Sequence, residues 1–542
     1  MQKTGKLELT WVGKYDEVAV EPRILIEDPS KSYGDPNSEN MLIHGDNLIA
    51  LQALQQDYAG KIKCIYIDPP YNINAAGVPY EDNIEHSLWL SLMRDRLTLL
   101  FQLLSDPGYI CIQCDDEEQA YLKVLCDEIF GRHNFLNMLV VESGAVFGTK
   151  VAHVTKKFVK VKDYILIYKK GESVEITPLY QPLDEVYDTH YSTYINTDSE
   201  KISLVSFLKS QPDIVKLFAK HSFDVSIKNI KPLMQVDESF YKYMTEVIAK
   251  DIYTTHPYTI KLDKDVLALL DPSHAVMING KMLTITTTGT VSVMDNFDSC
   301  LKTVINGRKI RSAYRGDLWK GFQLSMQNVD DEGGVYLKNS KKPEKLIADI
   351  LSAFTEKGDI VLDSFLGSGT TAAVAQKMNR RWIGVELGDH AYSLCKVRLD
   401  NVIDGDSTGI SDEYNWQGGG GYKFYELAPS LLVKNPVLPV YQINPEYTFE
   451  MLCEAICKIE GFRYKVDGVY HGYSSEKRFI HITKEFINAE YIKTVAATLG
   501  EDQSLLIYGT KIQSGLRLPD NIEVKKIPKD LLEKCTFESE VR

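Results

Sequence analysis

The sequence has no long apolar run. Its apolar stretches are short, residues 266–270 being typical, against the ~20 residues that a membrane-spanning helix requires. Residues 1–7 lack the basic-then-apolar pattern of a secretory leader. These absences predict a cytoplasmic chain with reduced thiols and no membrane partner. Cysteine is scarce, nine in 542 residues, which excludes a disulfide scaffold. Cys111-x-x-Cys114 lies among strand-like residues with no second pair at zinc spacing, so no metal site is expected. A surplus of positive charge is missing too. The net charge of −14 argues against a protein that simply coats nucleic acid. The acidity is segregated, however. Residues 151–330 carry 23 Lys and Arg against 21 Asp and Glu, a net +2, which leaves −16 on the remainder. The middle of the chain is the part suited to an anionic partner.

Hydrophobic residues make up 44% and charged residues 25%, the balance of a soluble globular protein. At roughly 150 residues per domain, the length allows about three or four domains. Residues 1–40 form an N-terminal segment that ends in a loop-like cluster. Residues 41–44 then read as a strand opening into Gly45-Asp46-Asn47, and 62–67 as a buried strand ending abruptly at Asp68-Pro69-Pro70-Tyr71. Trp89, Met93, Leu97, Leu100 and Leu104 share one helical face over 86–104. A turn at 106–108, a strand at 109–114, a helix at 117–130 and a strand at 164–168 follow. Strands alternating with helices imply a parallel sheet covered on both faces. The rhythm is lost over 171–334, which predicts an inserted domain. It resumes over 335–427 with a helix led by Pro343, a strand at 360–363, a glycine loop, a helix at 371–378 and a strand at 382–386. A smaller α/β domain is expected over 428–542.

Two motifs carry chemistry. Asp363-Ser-Phe-Leu-Gly-Ser-Gly-Thr-Thr371 follows a buried strand and opens a helix. Gly367 and Gly369 permit close approach of a ligand to the backbone. The Lys-Ser/Thr signature of a phosphate loop is missing. Glu386 ends the next strand, where an acidic residue accepts hydrogen bonds from ribose hydroxyls. The pair reads either as a nucleoside site without phosphates, as S-adenosylmethionine would need, or as a helix-opening turn beside an edge carboxylate. Asp68-Pro69-Pro70-Tyr71 is more specific. The prolines stiffen a strand exit and leave carbonyls to accept hydrogen bonds. Asp68 adds an acceptor and Tyr71 a flat ring, which together suit an amino group on a flat heterocycle. The alternative is a rigid, capped strand exit. His44, at a strand end, reads as structural.

These pieces, with Trp89-Leu-Ser-Leu-Met-Arg-Asp-Arg-Leu97, Asp163-Tyr-Ile-Leu-Ile-Tyr168, Lys342-Pro-Glu-Lys345, Ile383-Gly-Val-Glu386 and Gly421-Tyr-Lys-Phe-Tyr-Glu426, run in the order of the beta group of DNA amino-methyltransferases. The chain resembles most closely the modification (Mod) subunits of type III restriction–modification systems. The resemblance covers roughly 41–170 and 335–427. It implies a doubly wound, Rossmann-like class I methyltransferase sheet with a target-recognition insert. It also implies methyl transfer from S-adenosylmethionine to the N6 amine of a flipped adenine. A stand-alone adenine or cytosine-N4 enzyme and a catalytically silent recognition subunit are the alternatives.

By the same resemblance, Asp68 and the Pro69 carbonyl hold the target amine, Pro70 stiffens the exit, and Tyr71 stacks on the base. Asp46, Lys342, Asp363, Phe365, Gly367, Ser368, Gly369, Thr370 and Glu386 line the cofactor site. Lys156, Lys157 and Lys160, and Arg308, Lys309, Arg311 and Arg315, flank the insert in two basic clusters. They read as contacts to double-stranded DNA or, alternatively, as a solvated face. A homodimer and a helicase–nuclease (Res) subunit are the implied protein partners, with residues 428–542 as the docking region.

Overall fold

The computed structural model describes residues 8–16, 20–72, 84–144, 158–258, 262–305, 307–322, 329–337, 341–535 and 537. The chain divides into two compact units, one of residues 1–177 with 317–542 and the other of 178–316.

The first unit is built on one large sheet. Its main elements are β1 (Met41–His44), α1 (Asn47–Tyr58), β2 (Ile62–Ile67), α2 (His86–Leu103), β3 (Leu104–Cys114), α3 (Gln119–Cys126), β4 (Phe135–Glu142), β5 (Lys162–Lys170), α4 (Glu344–Phe354), β6 (Ile360–Asp363), α5 (Thr370–Lys377), β7 (Arg381–Glu386) and β8 (Gly421–Leu427). The order across the sheet is β8-β1-β7-β6-β2-β3-β5-β4, and β8 through β3 are mutually parallel. β5 is antiparallel to both neighbours, so the sheet is mixed at that side. Ile62, Cys64, Ile65, Tyr66 and Ile67 are all buried, as a parallel strand covered on both faces requires. α2 presents Trp89, Met93, Leu97 and Leu100 to the core beside this strand. The expected helix over 117–130 is shorter: α3 stops at Cys126 and a wider turn, Asp127–Gly131, completes it.

The insert is narrower than the 171–334 expected from loss of rhythm. Leu318–Trp319 adds a parallel strand to β4, and Val140 N–H donates to the Asp317 carbonyl (2.8 Å). Thr177 N–H donates to the Ala353 carbonyl (3.0 Å). Both margins therefore belong to the first unit. The second unit holds a six-stranded antiparallel sheet and a helical core around Phe218, Phe240, Tyr241 and Met244. Its two ends are clasped by the pairing of Tyr180–Pro182 with Ser312–Tyr314.

Residues 428–542 carry a five-stranded sheet, but they do not form a separate compact unit. Their core of Leu452, Ile456, Phe462 and Ile480 is continuous with Ile24, Ala428 and Leu431. The N-terminal segment is likewise built in. Glu21 is buried and accepts from Ser430 Oγ (2.6 Å) and Leu431 N–H (2.7 Å).

Candidate active site

β6-α5-β7 winds toward β1, whereas β2-α2-β3 winds the other way. The direction of winding reverses between β6 and β2, and such a reversal opens a crevice at the carboxyl ends of the strands. Four carboxylates stand at those ends: Asp46 just past β1, Glu386 ending β7, Asp363 ending β6, and Asp68 just past β2. Both sequence motifs thus arrive at the same edge from opposite halves of the chain.

At the β2 exit, Trp89 Nε1–H donates to the Pro70 carbonyl (2.9 Å). That carbonyl is therefore engaged, contrary to the expectation that the carbonyls of this turn stay open. The bond anchors the exit to α2. The Lys342 ammonium pairs with Asp68 Oδ2 and lies 5.3 Å from the centre of the Tyr71 ring. The Asp68 carboxyl and the Tyr71 hydroxyl interact with each other, and Asp68 Oδ1 and Tyr71 Oη are buried without a well-directed hydrogen bond among the described residues. Burial raises the Asp68 carboxyl above its ordinary range, and the Lys342 ammonium works against that rise. Burial likewise pushes the Tyr71 hydroxyl well up. The next residue, Asn72, adopts φ +57° and bonds through its side chain to Glu118 (2.9 Å), which also meets His86 Nδ1 (3.0 Å).

At the β6 exit, Gly367 has φ +59° and Gly369 φ +81°. A Cβ built at Gly367 would meet only the Phe365 carbonyl, at 3.9 Å, so the loop faces open space there. Gly367 N–H donates to Glu386 Oε2 (2.6 Å), joining the loop to the end of β7. Asp363 accepts from Phe365 N–H (2.9 Å) and Thr371 Oγ1 (2.6 Å), and burial pushes its carboxyl up to about 7. Phe365 packs against the main core. Ser364 Oγ is buried without a partner among the described residues. The Ser368 and Thr370 hydroxyls turn instead to Arg398, at 3.4 and 2.7 Å, so a ligand of this loop would meet their backbone. Asp46 caps α1 through Leu48 N–H (2.8 Å) and pairs with Arg96 (3.2 Å).

Sequence reasoning missed the groups that hold this edge in place. Arg398 Nη2 pairs with Glu344 Oε1 (2.8 Å), and Lys377 pairs with Glu344 Oε2 (3.0 Å) and Asp406 (2.7 Å). The side chains of Arg398, Lys377 and Glu344 are fully buried. Arg96 joins Asp46 and Asn47, and Asn47 donates to the Ser364 carbonyl (2.7 Å), which links β1 to β6. A signal was present. Arg96 falls in register with Trp89, Met93 and Leu100 on an apolar helical stripe, and Arg398 with Cys395, Leu399 and Val402. A cation at such a position is buried and needs a partner.

Of the cations expected to contact DNA, Lys156 and Lys157 lie outside the described residues. Lys160 pairs with Asp115 (2.7 Å) and lies 6.0 Å from the Tyr71 ring centre, so it borders the candidate site. In the second unit, Arg308 covers the Tyr241 ring (3.6 Å) and pairs with Glu238 (3.4 Å). Lys309 pairs with Asp298 (2.8 Å) and Arg311 with Asp188 (2.9 Å). Arg315 joins the clasp, its N–H donating to the Leu179 carbonyl (2.9 Å). The sequence pattern displays the positive charges but not the carboxylates that fold against them.

The profile of the family described as DNA methylase matches residues 62–396, and the chain belongs to that family. It is 36% identical over 451 residues to the "probable type III restriction-modification enzyme HindVI Mod subunit" of Haemophilus influenzae, covering 78% of this chain and 58% of that protein. It is 27% identical over 431 residues to the type III restriction-modification enzyme EcoPI Mod subunit of Escherichia phage P1, covering 69% and 61%. It is 28% identical over 360 residues to the type II methyltransferase M.KpnI of Klebsiella pneumoniae, covering 64% and 78%. The chain thus spans less than two thirds of the length of either Mod subunit.

Proposed function

We propose that this chain is an S-adenosylmethionine-dependent DNA methyltransferase acting on the N6 amine of a flipped adenine, and that it serves as the modification subunit of a type III system. The observation that carries this reading is the meeting of Asp68 and Tyr71, each with a buried polar atom that makes no well-directed hydrogen bond among the described residues, with the open glycine loop at one strand edge. The residues fit the cofactor. Gly367 leaves room beside its backbone, and Asp363 and Glu386 are acceptors for an amine and for ribose hydroxyls. When bound, S-adenosylmethionine supplies a methyl group already activated on a sulfonium.

The chain's own work is electrostatic. Asp68 and the Pro69 carbonyl accept the two N–H bonds of the base amine and draw its nitrogen toward tetrahedral geometry. The Asp68 carboxylate then stabilises the positive charge that grows there. Tyr71 stacks on the base, and the Trp89 bond to Pro70 keeps the turn rigid. Residues 178–316 read the DNA site. Residues 428–542 dock a second copy or a helicase–nuclease subunit.

The test is transfer of label from S-adenosylmethionine to DNA, followed by digestion to nucleosides. Label in N6-methyladenine is expected. Label in N4-methylcytosine would change the base, and no transfer despite bound cofactor would overturn the reading. A stand-alone enzyme is the second reading, favoured by the 78% coverage of M.KpnI. Restriction of unmodified phage by cells carrying the chain with its neighbouring genes would favour the type III assignment.

A further inference from the structure

Lys342 is held from two sides. Its carbonyl accepts from Thr370 Oγ1 (3.3 Å), and Thr370 is itself bonded to Arg398 (2.7 Å). Two residues on, Glu344 is locked between Arg398 and Lys377 at the start of α4. The backbone is therefore fixed by a buried network, and the side chain projects from it onto Asp68 Oδ2, leaving Oδ1 without a well-directed hydrogen bond among the described residues. This arrangement divides the carboxylate between one oxygen given to a cation and one left for a donor. We propose that Lys342 is a positioning residue, the counter-ion that keeps the partly buried Asp68 carboxylate ionised and turns its second oxygen toward the substrate amine. This rests on the methyltransferase reading.

The electrostatic need is clear from the surroundings. Asp68 faces Tyr66 and Tyr71 on its own strand and exit, Asp363 at the end of β6, Asp163 on β5 and Cys114 on β3. None of these is a cation, and Lys160 lies beyond them, paired with Asp115 (2.7 Å) and Asp163 (3.7 Å). Burial and the Asp163 carboxylate favour the protonated form of Asp68, and Lys342, followed by the Tyr71 hydroxyl, opposes both. A protonated Asp68 has lost an acceptor site. Removing the ammonium raises the pH at which the carboxylate forms, so transfer would then require higher pH.

The test compares Lys342→Met, which keeps the length of the stem, with Lys342→Arg. The carboxyl of Asp68 is titrated by infrared difference spectroscopy in the isolated protein, with Asp68→Asn assigning the band. The pH profile of single-turnover methyl transfer is measured in parallel. In Lys342→Met, both the titration and the acid limb of transfer are expected to move up by about one pH unit or more. Lys342→Arg should restore the limb. An unmoved titration in Lys342→Met overturns the inference. So does an equal loss of transfer at every pH with weakened cofactor affinity, which would make Lys342 a cofactor ligand. A shifted titration in a protein that transfers no methyl group would uphold the counter-ion role and sink the methyltransferase reading instead.

Discussion

Glu344 and Asp68 are both carboxylates beside cations, and they are opposites: the Glu344 side chain is fully buried, whereas that of Asp68 is 18% exposed. Both Glu344 oxygens are taken, by Arg398 and Lys377, and its second oxygen also accepts from Ile410 N–H (3.1 Å). Its pKa is lowered, because the two cations outweigh burial. Asp68 has one cation and one oxygen without a well-directed hydrogen bond among the described residues, and desolvation prevails. A neighbouring cation therefore does not separate a structural carboxylate from one available to a substrate. Completeness of pairing does. A satisfied network fixes the fold, whereas an incomplete one keeps a hydrogen-bond site open at a cost in stability.

The sharpest break in that comparison is Arg398→Met. It strands one Glu344 oxygen in the core and removes the Arg398 bond to Thr370, and breaking a buried pair costs about 3–5 kcal/mol. Denaturant unfolding should show the loss, and an unchanged midpoint would mean that the network does not support the edge. Asp68→Asn should do the reverse. Transfer should fall by roughly 10²–10³-fold or more, the scale of removing one preorganised electrostatic group. Stability should hold or rise, since a strained carboxylate is gone. Wild-type transfer rates in Asp68→Asn would refute the mechanism.

What the sequence made legible follows this same division. β1, β2 and β6 were bounded correctly at 41–44, 62–67 and 360–363, because strands buried on both faces read as unbroken apolar runs ending at Gly, Pro or an acid. Both motifs were legible because their Pro and Gly residues constrain the backbone locally. β4 went unread. Its run Phe-Leu-Asn-Met-Leu-Val-Val-Glu is only half buried, and no sharp stop follows it. Arg96, Arg398, Lys377 and Glu344 were missed for a different reason: a charged residue is counted as surface until its partner is known, and here the partners lie 29 to 54 residues away.

Gly367→Asp sharpens the comparison at the loop. A side chain there fills the open space and brings a carboxylate toward Glu386. With φ at +59°, the substitution also strains the backbone by about 1–2 kcal/mol. Calorimetry should show cofactor affinity reduced by roughly tenfold or more, a loss of about 1.4 kcal/mol. Unchanged affinity in a folded variant would remove the loop from the cofactor site.

The smallest effect is expected at Lys309, where an ion pair is satisfied but exposed. Lys309 and Asp298 are 37% and 25% exposed and 2.8 Å apart, so the pair contributes at most about 1 kcal/mol to stability. Lys309→Ala should barely move the unfolding midpoint. DNA binding provides the discriminating measurement. If the ammonium leaves Asp298 for a phosphate, the variant binds more weakly across all sequences, and its log K against log salt slope is shallower by about 0.9. Asp298→Ala should then strengthen binding, because it frees the same ammonium. An unchanged slope in both variants would make the pair internal to the fold and move the DNA contact to other residues.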